Sequence, residues 1–290
     1  MKKVIILLVI ASAAGYLLLT KKGNMAKNVA MSYIISPSHV YEEGRTISER
    51  ILVPQGYTRV QYSEGSFQKY IQDYDVLDFE AKIINYDGNE YVFQGGHVGV
   101  LDISVPANGL QQCADALMRI RAEYLWNTNQ KDKIGFNFTS GHYCSWLQYA
   151  AGYRPQVNGN HVSFQKTATP NNLKEQFYKY LDLVYMYAGT QSLYDELSSV
   201  NSIDAVEVGD MLIYPGSPGH VVLIADMATN AEGKKLFILA QGNTPAQSVH
   251  LLKNINDSSI SPWYELEMDA YLEIPTYYFN KTQFIRFKDL

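Results

Sequence analysis

The sequence predicts an α+β domain in which an antiparallel sheet packs against helices. Segments with helical periodicity come first along the chain, and the segments after Val208 are short, rich in β-formers and separated by Gly, Pro or Asn. The chain has 290 residues, of which 47% are apolar and 18% are charged. This composition is sufficient for a full hydrophobic core and excludes a disordered chain.

The amino terminus has the pattern of an export segment. Lys2 and Lys3 precede an apolar run at residues 4–19, and two further lysines follow it. Cleavage at residues 11–13 would leave the apolar residues 16–19 on the mature chain, which favours a retained anchor. We therefore expect residues 1–22 to be a signal peptide or membrane anchor, with residues 4–19 contacting the membrane. The protein would lie in the cell envelope, membrane-anchored or periplasmic or secreted.

The rest of the chain is predicted to be one linker and one domain. Residues 23–48 are polar and irregular, and they indicate a linker. Residues 49–290 contain no repeat or low-complexity block, so we expect a single domain there. The net charge of −5 argues against nucleic acid as a partner. No cysteine spacing typical of metal sites and no glycine-rich phosphate loop is present, so we expect neither a metal nor a cofactor.

The first half of the domain carries two helix predictions. Residues 110–126 repeat apolar side chains at helical spacing, with Asn108 as the predicted cap and Gln111 at the capping-box position. A second amphipathic helix is predicted at residues 177–187. Shorter elements come before them: an interrupted strand at residues 51–62, a short helix capped by Ser63, a hairpin turn at residues 86–89 and a buried strand at residues 97–105.

The second half supplies the strands and a candidate general base. The predicted strands cover residues 211–214, 220–226, 236–241 and 249–252. His220 follows a Ser-Pro-Gly turn at the mouth of a strand, where the sheet would hold it rigidly near the surface. Antiparallel pairing places it opposite Gln241, or opposite Asn243 if the turn lies one residue later. Either amide could orient the imidazole ring.

Cys113 is the candidate nucleophile because it lies on a helix that follows a buried strand. The dipole at a helix N-terminus lowers a thiol pKa, although a cap at Asn108 would put this cysteine in the second turn, on the apolar face. A buried structural cysteine is therefore the alternative. Two further possibilities are a catalytic Cys144 beside His142 and a Cys113–Cys144 disulfide, which would remove the nucleophile.

Other polar residues of this region have weaker assignments. Arg119 and Glu123, spaced i and i+4, predict an ion pair on the helix surface. His97 also opens a predicted strand and is the alternative histidine. Three further side chains could line the site without taking part in the chemistry: Asp102, Asp115 and Arg121.

Two specific strings carry a family resemblance. They are Gln111-Gln112-Cys113-Ala114-Asp115 and Ser217-Pro218-Gly219-His220, supported by further matches between Ile51 and Tyr264. The chain resembles a bacterial family catalogued as domain of unknown function 4846. That resemblance implies an exported envelope protein, but the family has no established activity.

A weaker resemblance is to NlpC-type cysteine peptidases, which cleave cell-wall peptides. Gly209-Asp210 before His220 is similar to the Gly-Asp that precedes their catalytic histidine. The resemblance implies a papain-like or NlpC-like arrangement with Cys113, His220 and Gln241 in the three catalytic roles. The chain departs from the family pattern because no Asp-Cys-Ser string surrounds Cys113.

Two functions follow from these observations. The first is a cysteine hydrolase or amidase that acts on a cell-wall peptide or a similar amide. The second is a non-catalytic envelope module that binds peptide or glycan on the same fold, since 23 tyrosines would suit such a groove. Exposure of the Cys113 sulfur near His220 would favour the first, and its burial beneath the helix's apolar side chains would favour the second.

Overall fold

A computed structural model describes residues 21–288 and confirms the α+β class. Its main feature is an eight-stranded sheet in which every pair of neighbouring strands is antiparallel. The strand order is β2-β11-β10-β9-β8-β14-β7, and β1 pairs with the far end of β9. These strands are β1 (Tyr57–Arg59), β2 (His97–Val100), β7 (Ser198–Val200), β8 (Met211–Tyr214), β9 (His220–Asn230), β10 (Lys235–Gln241), β11 (His250–Leu252) and β14 (Phe284–Arg286).

The central strands β9 and β10 are buried along nearly their whole length. In β9 the first nine residues are buried, and six of the seven residues of β10 are buried. Such continuous apolar runs are typical of strands covered on both faces. The sheet therefore holds the ends of β9 and β10 in fixed positions.

Helices flank this sheet. They are α1 (Lys21–Ile34), α2 (Ile47–Arg50), α3 (Phe67–Gln72), α4 (Cys113–Asn127), α5 (Trp146–Ala150), α6 (Lys174–Tyr187) and α7 (Thr190–Glu196). The predicted helix at residues 177–187 is confirmed as α6, and the predicted cap of the short helix moves from Ser63 to Ser66. Three two-stranded sheets complete the fold: β3 (Gly135–Asn137) with β4 (Tyr143–Ser145), β5 (Tyr153–Asn158) with β6 (His161–Lys166), and β12 (Leu272–Ile274) with β13 (Tyr277–Phe279).

Helix α4 is buried from its first residue to Leu125, including its charged side chains. It packs against β9 and β10 of the sheet and against α3 and α6. A helix that is buried on all sides belongs to the centre of a domain rather than to its surface. Its position places one helix terminus directly against the sheet.

The predicted linker at residues 23–48 is different in the structure, because most of its first half is helix α1. The ammonium group of Lys253 donates to the carbonyl oxygen of Ser32 at 2.8 Å, close to the C-terminal end of α1. The hydroxyl of Tyr33 accepts from the backbone N–H of Gln94 at 3.0 Å. Cations stabilise the carbonyl end of a helix, so these contacts attach α1 to the domain.

Of the predicted export segment at residues 1–22, residues 1–20 lie outside the described residues, and Lys21 and Lys22 begin helix α1. Within residues 21–288, no helix is both long and apolar enough to cross a bilayer.

The Gly-Asp string before β8 has a structural role in this fold. Asp210 is fully buried and accepts two hydrogen bonds from the guanidinium group of Arg286, at 2.7 and 2.8 Å. It also accepts from the backbone N–H of Glu207 at 2.9 Å. Asp210 therefore ties the start of β8 to β14, and it does not contact the candidate site.

Candidate active site

Cys113 is the first residue of helix α4, which corrects the predicted helix start. Gly109 has a φ of +72°, a left-handed conformation that a helix cannot include, and Asn108 caps only a local turn through Leu110. The helix instead begins after Gln112, whose backbone N–H donates to the Asp115 carboxylate at 2.9 Å. The thiol therefore lies at the positive end of the helix dipole and not in the second turn.

The Cys113 sulfur is buried, and its surroundings act on its pKa in opposite directions. Burial, followed by the nearby Asp115 carboxylate, raises the pKa of the thiol to about 11. Hydrogen bonds from the backbone N–H groups of Ala114, Val221 and Cys113 itself lower it. Burial prevails, so the resting thiol is neutral at pH 7. The contact with Val221 places the sulfur beside the first residues of β9.

His220 opens β9 and is held there by the turn before it. A Cβ atom on Gly219 would collide with the hydroxyl of Thr190, which donates to the carbonyl oxygen of Gly216 at 3.0 Å. Only glycine fits at this close approach, and the turn is thereby fixed against α7. Burial lowers the pKa of His220 to about 4, so the ring is neutral at pH 7.

Gln241, at the end of β10, orients the His220 ring. Its Oε1 lies 2.8 Å from Nε2 of His220, which confirms the predicted contact. The register differs from the prediction, because a bulge between Ile238 and Leu239 pairs Ala240 with Leu223. Gln241 is therefore diagonal to His220 on the same face of the sheet, which a long amide side chain can span.

Two residues that the sequence did not single out complete the hydrogen bonds of Gln241. Its Nε2 lies 3.2 Å from Nε2 of His250 and donates to the hydroxyl of Thr276 at 3.2 Å. His250 in turn places Nδ1 2.9 Å from the carbonyl oxygen of Ser248. All three polar positions of the buried amide are thus used, as a buried polar group requires.

A glycine lets the helix approach the sheet at this site. A Cβ atom on Gly242 would lie 3.0 Å from the side chain of Ala116 and 3.1 Å from the carbonyl oxygen of Gln112. It would also lie 3.5 Å from Cα of Cys113. The residue after Gln241 therefore contacts the first turn of α4, and this brings the cysteine and the amide to the same end of the sheet.

Tyr277 of β13 covers the histidine. Its ring centroid lies 4.5 Å from that of His220, and its hydroxyl is close enough to Cys113 for a thiolate there to raise the tyrosine pKa. Phe279 lies on β13 with Tyr277, and its ring centroid is 6.0 Å from that of His220. No hydrogen bond joins the thiol to the imidazole within the described residues. The site is therefore closed, with both reactive groups neutral.

The disulfide alternative is wrong, and in the part of the chain that the structure describes no histidine contact supports the other alternative, a catalytic Cys144. Cys113 and Cys144 are both free thiols, so the proposed disulfide is absent. Cys144 is buried in β4, where burial raises its pKa to about 12, and its nearest predicted partner, His142, bonds to Ser140 instead. His97 lies beside His250, with ring centroids 6.2 Å apart, and does not approach a cysteine.

The remaining predicted polar residues lie elsewhere. The predicted Arg119–Glu123 ion pair forms at 2.9 Å. The prediction placed it on the helix surface, but both side chains are buried. Arg121 packs over the ring of Phe67, and Asp102 is exposed. Asp115 alone adjoins the cysteine, and burial raises its pKa to about 7.

A separate cavity of about 700 Å³ lies on the other flank of α4. Its lining includes four tyrosines, namely Tyr70, Tyr74, Tyr124 and Tyr178, together with Asp102, Arg119 and Glu123. Neither Cys113 nor His220 lines it. This cavity and the cysteine site are therefore two distinct features.

The fold and this site define an α+β domain with a cysteine at a helix N-terminus, a histidine at a strand start and an amide on the neighbouring strand. The chain belongs to the family described as domain of unknown function 4846, whose model matches residues 47–286. No match was found among curated proteins or among solved structures. The resemblance to NlpC-type peptidases and the papain-like arrangement therefore stay predictions.

Proposed function

We propose that this domain is a cysteine hydrolase or amidase of the cell envelope, acting on a cell-wall peptide or a similar amide. The observation that carries the proposal is the meeting of three elements: Cys113 at the first residue of α4, His220 at the first residue of β9 and Gln241 at 2.8 Å from its ring. A nucleophile, a base and a group that orients the base are what covalent acyl transfer requires.

The chemistry follows from the positions of these groups. Nδ1 of His220 takes the thiol proton as the sulfur attacks the amide carbonyl carbon. The backbone N–H of Cys113 has no intrahelical acceptor, and once the sulfur has attacked, this N–H would donate to the oxyanion instead of to the sulfur. The C–N bond then breaks, the amine leaves with the proton from His220, and water hydrolyses the resulting thioester.

The two free cysteines allow an internally controlled test of the nucleophile. We expect iodoacetamide to label Cys113 faster than Cys144 in the native protein at pH 7 to 8, because only Cys113 has a base and backbone donors beside it. His220→Ala is expected to remove that difference. Peptide mapping by mass spectrometry separates the two sites. Labelling of both cysteines only in denaturant, or labelling that does not depend on His220, would overturn the proposal.

Cleavage is tested on purified peptidoglycan. The wild-type domain should release new amino groups, and Cys113→Ala should release none. Absence of release by the wild type, when Cys113 is accessible to iodoacetamide, would exclude the cell-wall peptide as substrate.

Two observations favour a second function, binding of glycan or peptide without catalysis: the Cys113 sulfur is buried, and a separate cavity is lined by tyrosines. Phenol rings stack on sugar rings, and the carboxylates of Asp102 and Glu123 can accept hydrogen bonds from hydroxyl groups. We expect soluble cell-wall glycan fragments to bind to Cys113→Ala protein, and Tyr178→Ala to weaken that binding by about tenfold or more. Titration calorimetry measures it, with the exposed Tyr271→Ala as control. Equal affinity in the Tyr178→Ala and Tyr271→Ala variants would exclude this cavity as the binding site.

A further inference from the structure

We propose that His250 is a positioning residue that sets the tautomer of His220 through the amide of Gln241. This inference rests on the proposed function, because it explains how the general base of that function is prepared. It is carried by three hydrogen bonds in series: His220 donates to Gln241, Gln241 donates to His250, and His250 donates to the carbonyl oxygen of Ser248.

The series ends at a group that can only accept. The carbonyl oxygen of Ser248 lies 2.9 Å from Nδ1 of His250, so Nδ1 must carry the proton. In a neutral ring the other nitrogen, Nε2, is then an acceptor. His250 is 3% exposed, and burial lowers its pKa to about 4, so the ring is neutral at pH 7.

The acceptor on His250 fixes the amide of Gln241. Only the NH₂ end of that amide can donate to Nε2 of His250, at 3.2 Å, and its second N–H donates to Thr276. The carbonyl end must therefore point at His220. The reverse orientation would place the amide oxygen against Nε2 of His250, so that two acceptors would face each other in a buried site.

The amide oxygen in turn fixes the ring of His220. An oxygen 2.8 Å from Nε2 requires that Nε2 carry the proton, which leaves the lone pair on Nδ1. Nδ1 is the nitrogen that can take the proton of Cys113. A backbone carbonyl two positions from His250 in the chain thus determines which nitrogen of His220 is the base.

The groups around His250 do not replace this function. His97 lies on β2 with its ring centroid 6.2 Å from that of His250, and it has no hydrogen bond to Gln241. Thr276 can donate or accept, so it tolerates either orientation of the amide. Among the described residues, His250 is therefore the partner that selects one orientation.

The test is a tautomer measurement that does not require activity. Protein labelled with ¹⁵N-histidine gives two-bond correlations that distinguish Nδ1–H from Nε2–H rings. We expect the Nε2–H form at His220 and the Nδ1–H form at His250 in the wild type. In His250→Phe we expect His220 to populate both forms, and the alkylation rate of Cys113 to fall about twofold or more, since the competent fraction is halved.

His97→Phe is the matched control, because it removes a neighbouring half-buried imidazole without removing a hydrogen bond of the series. It should leave the His220 tautomer unchanged. A wild-type His250 with its proton on Nε2 would overturn the inference even if His250→Phe does not fold. So would a His220 that keeps the pure Nε2–H form in folded His250→Phe. An inert Cys113 with the expected tautomers would instead refute the proposed function alone.

Discussion

Replacing Tyr277 by alanine is expected to raise the alkylation rate of Cys113 at pH 8 by about tenfold or more. The tyrosine ring lies 4.5 Å from the His220 ring, and the tyrosine is near enough to Cys113 for a thiolate there to raise the tyrosine pKa. Burial is the largest cause of the raised thiol pKa of about 11 and of the lowered His220 pKa of about 4. Opening the site therefore lowers the pKa of the Cys113 thiol and raises the pKa of His220. Each unit by which the thiol pKa falls raises the thiolate fraction about tenfold.

The expected rate increase is measured by following iodoacetamide incorporation at Cys113 against pH. Tyr271→Ala is the control, since that ring contacts Tyr278 in the same small sheet and does not contact His220. Cys144 serves as a second control in the same sample, because loosening of the whole fold would expose it as well. An unchanged rate at Cys113 in Tyr277→Ala would show that this tyrosine does not close the site.

Lowering the pH from 7 to 4.5 is expected to reduce the free energy of unfolding by about 4 kcal/mol. Burial lowers the pKa of His220 and of His250 to about 4, and that of His97 to about 3. An unfolded histidine titrates near 6.5, so below that pH the unfolded chain binds protons that the folded chain cannot. Each of these rings then removes about 2 to 3 kcal/mol of stability at pH 4.5.

Buried carboxyl groups oppose this loss. Burial raises the pKa of Asp115 to about 7, and it also raises the pKa of Asp210 and of Asp226. A carboxyl with a raised pKa contributes stability that is full below its unfolded pKa and is lost as the pH rises through its folded pKa. These groups therefore gain stability as the pH falls, which makes the expected net loss smaller than the sum of the three histidine contributions.

Urea unfolding at pH 7 and at pH 4.5 measures the difference. His97→Phe should shrink the loss by about 2 kcal/mol, because it removes one of the three rings. The exposed His161→Gln should leave the loss unchanged. Equal losses in the two variants, or a stability that does not fall between these pH values, would contradict the assignment.

The strands, and the contact between His220 and Gln241, could be predicted because local patterns encode them. The strands that carry His220 and Gln241 are apolar runs between turn residues, and pairing of the two strands brings these side chains to one end of the sheet. The exact register was not predictable, because it depends on a bulge between Ile238 and Leu239.

The helix start was misjudged for a local physical reason. Asn108 and Gln111 have the spacing of a capping box, and so do Gln112 and Asp115. The left-handed backbone of Gly109 excludes the first pair from the helix. The presence of glycine directly after the predicted cap was the signal that favoured the later start.

Residues that cover and support the site come from segments without a recognisable pattern. Thr276 and Tyr277 belong to a short hairpin far along the chain, and only tertiary packing places them on Gln241 and His220. His250 opens a strand after a hairpin, as His220 does, and that similarity was the available signal.

The attachment of helix α1 limits how far the domain can move relative to residue 21, where the helix begins. A flexible linker over residues 23–48 would have a root-mean-square length of about 28 Å and would let the domain sample a wide volume. Helix α1 is instead fixed through Lys253 and Gln94, and it gains a further ion pair between Lys27 and Glu273 at 3.4 Å. The site therefore keeps a fixed distance from, and a fixed orientation to, the start of helix α1 at Lys21.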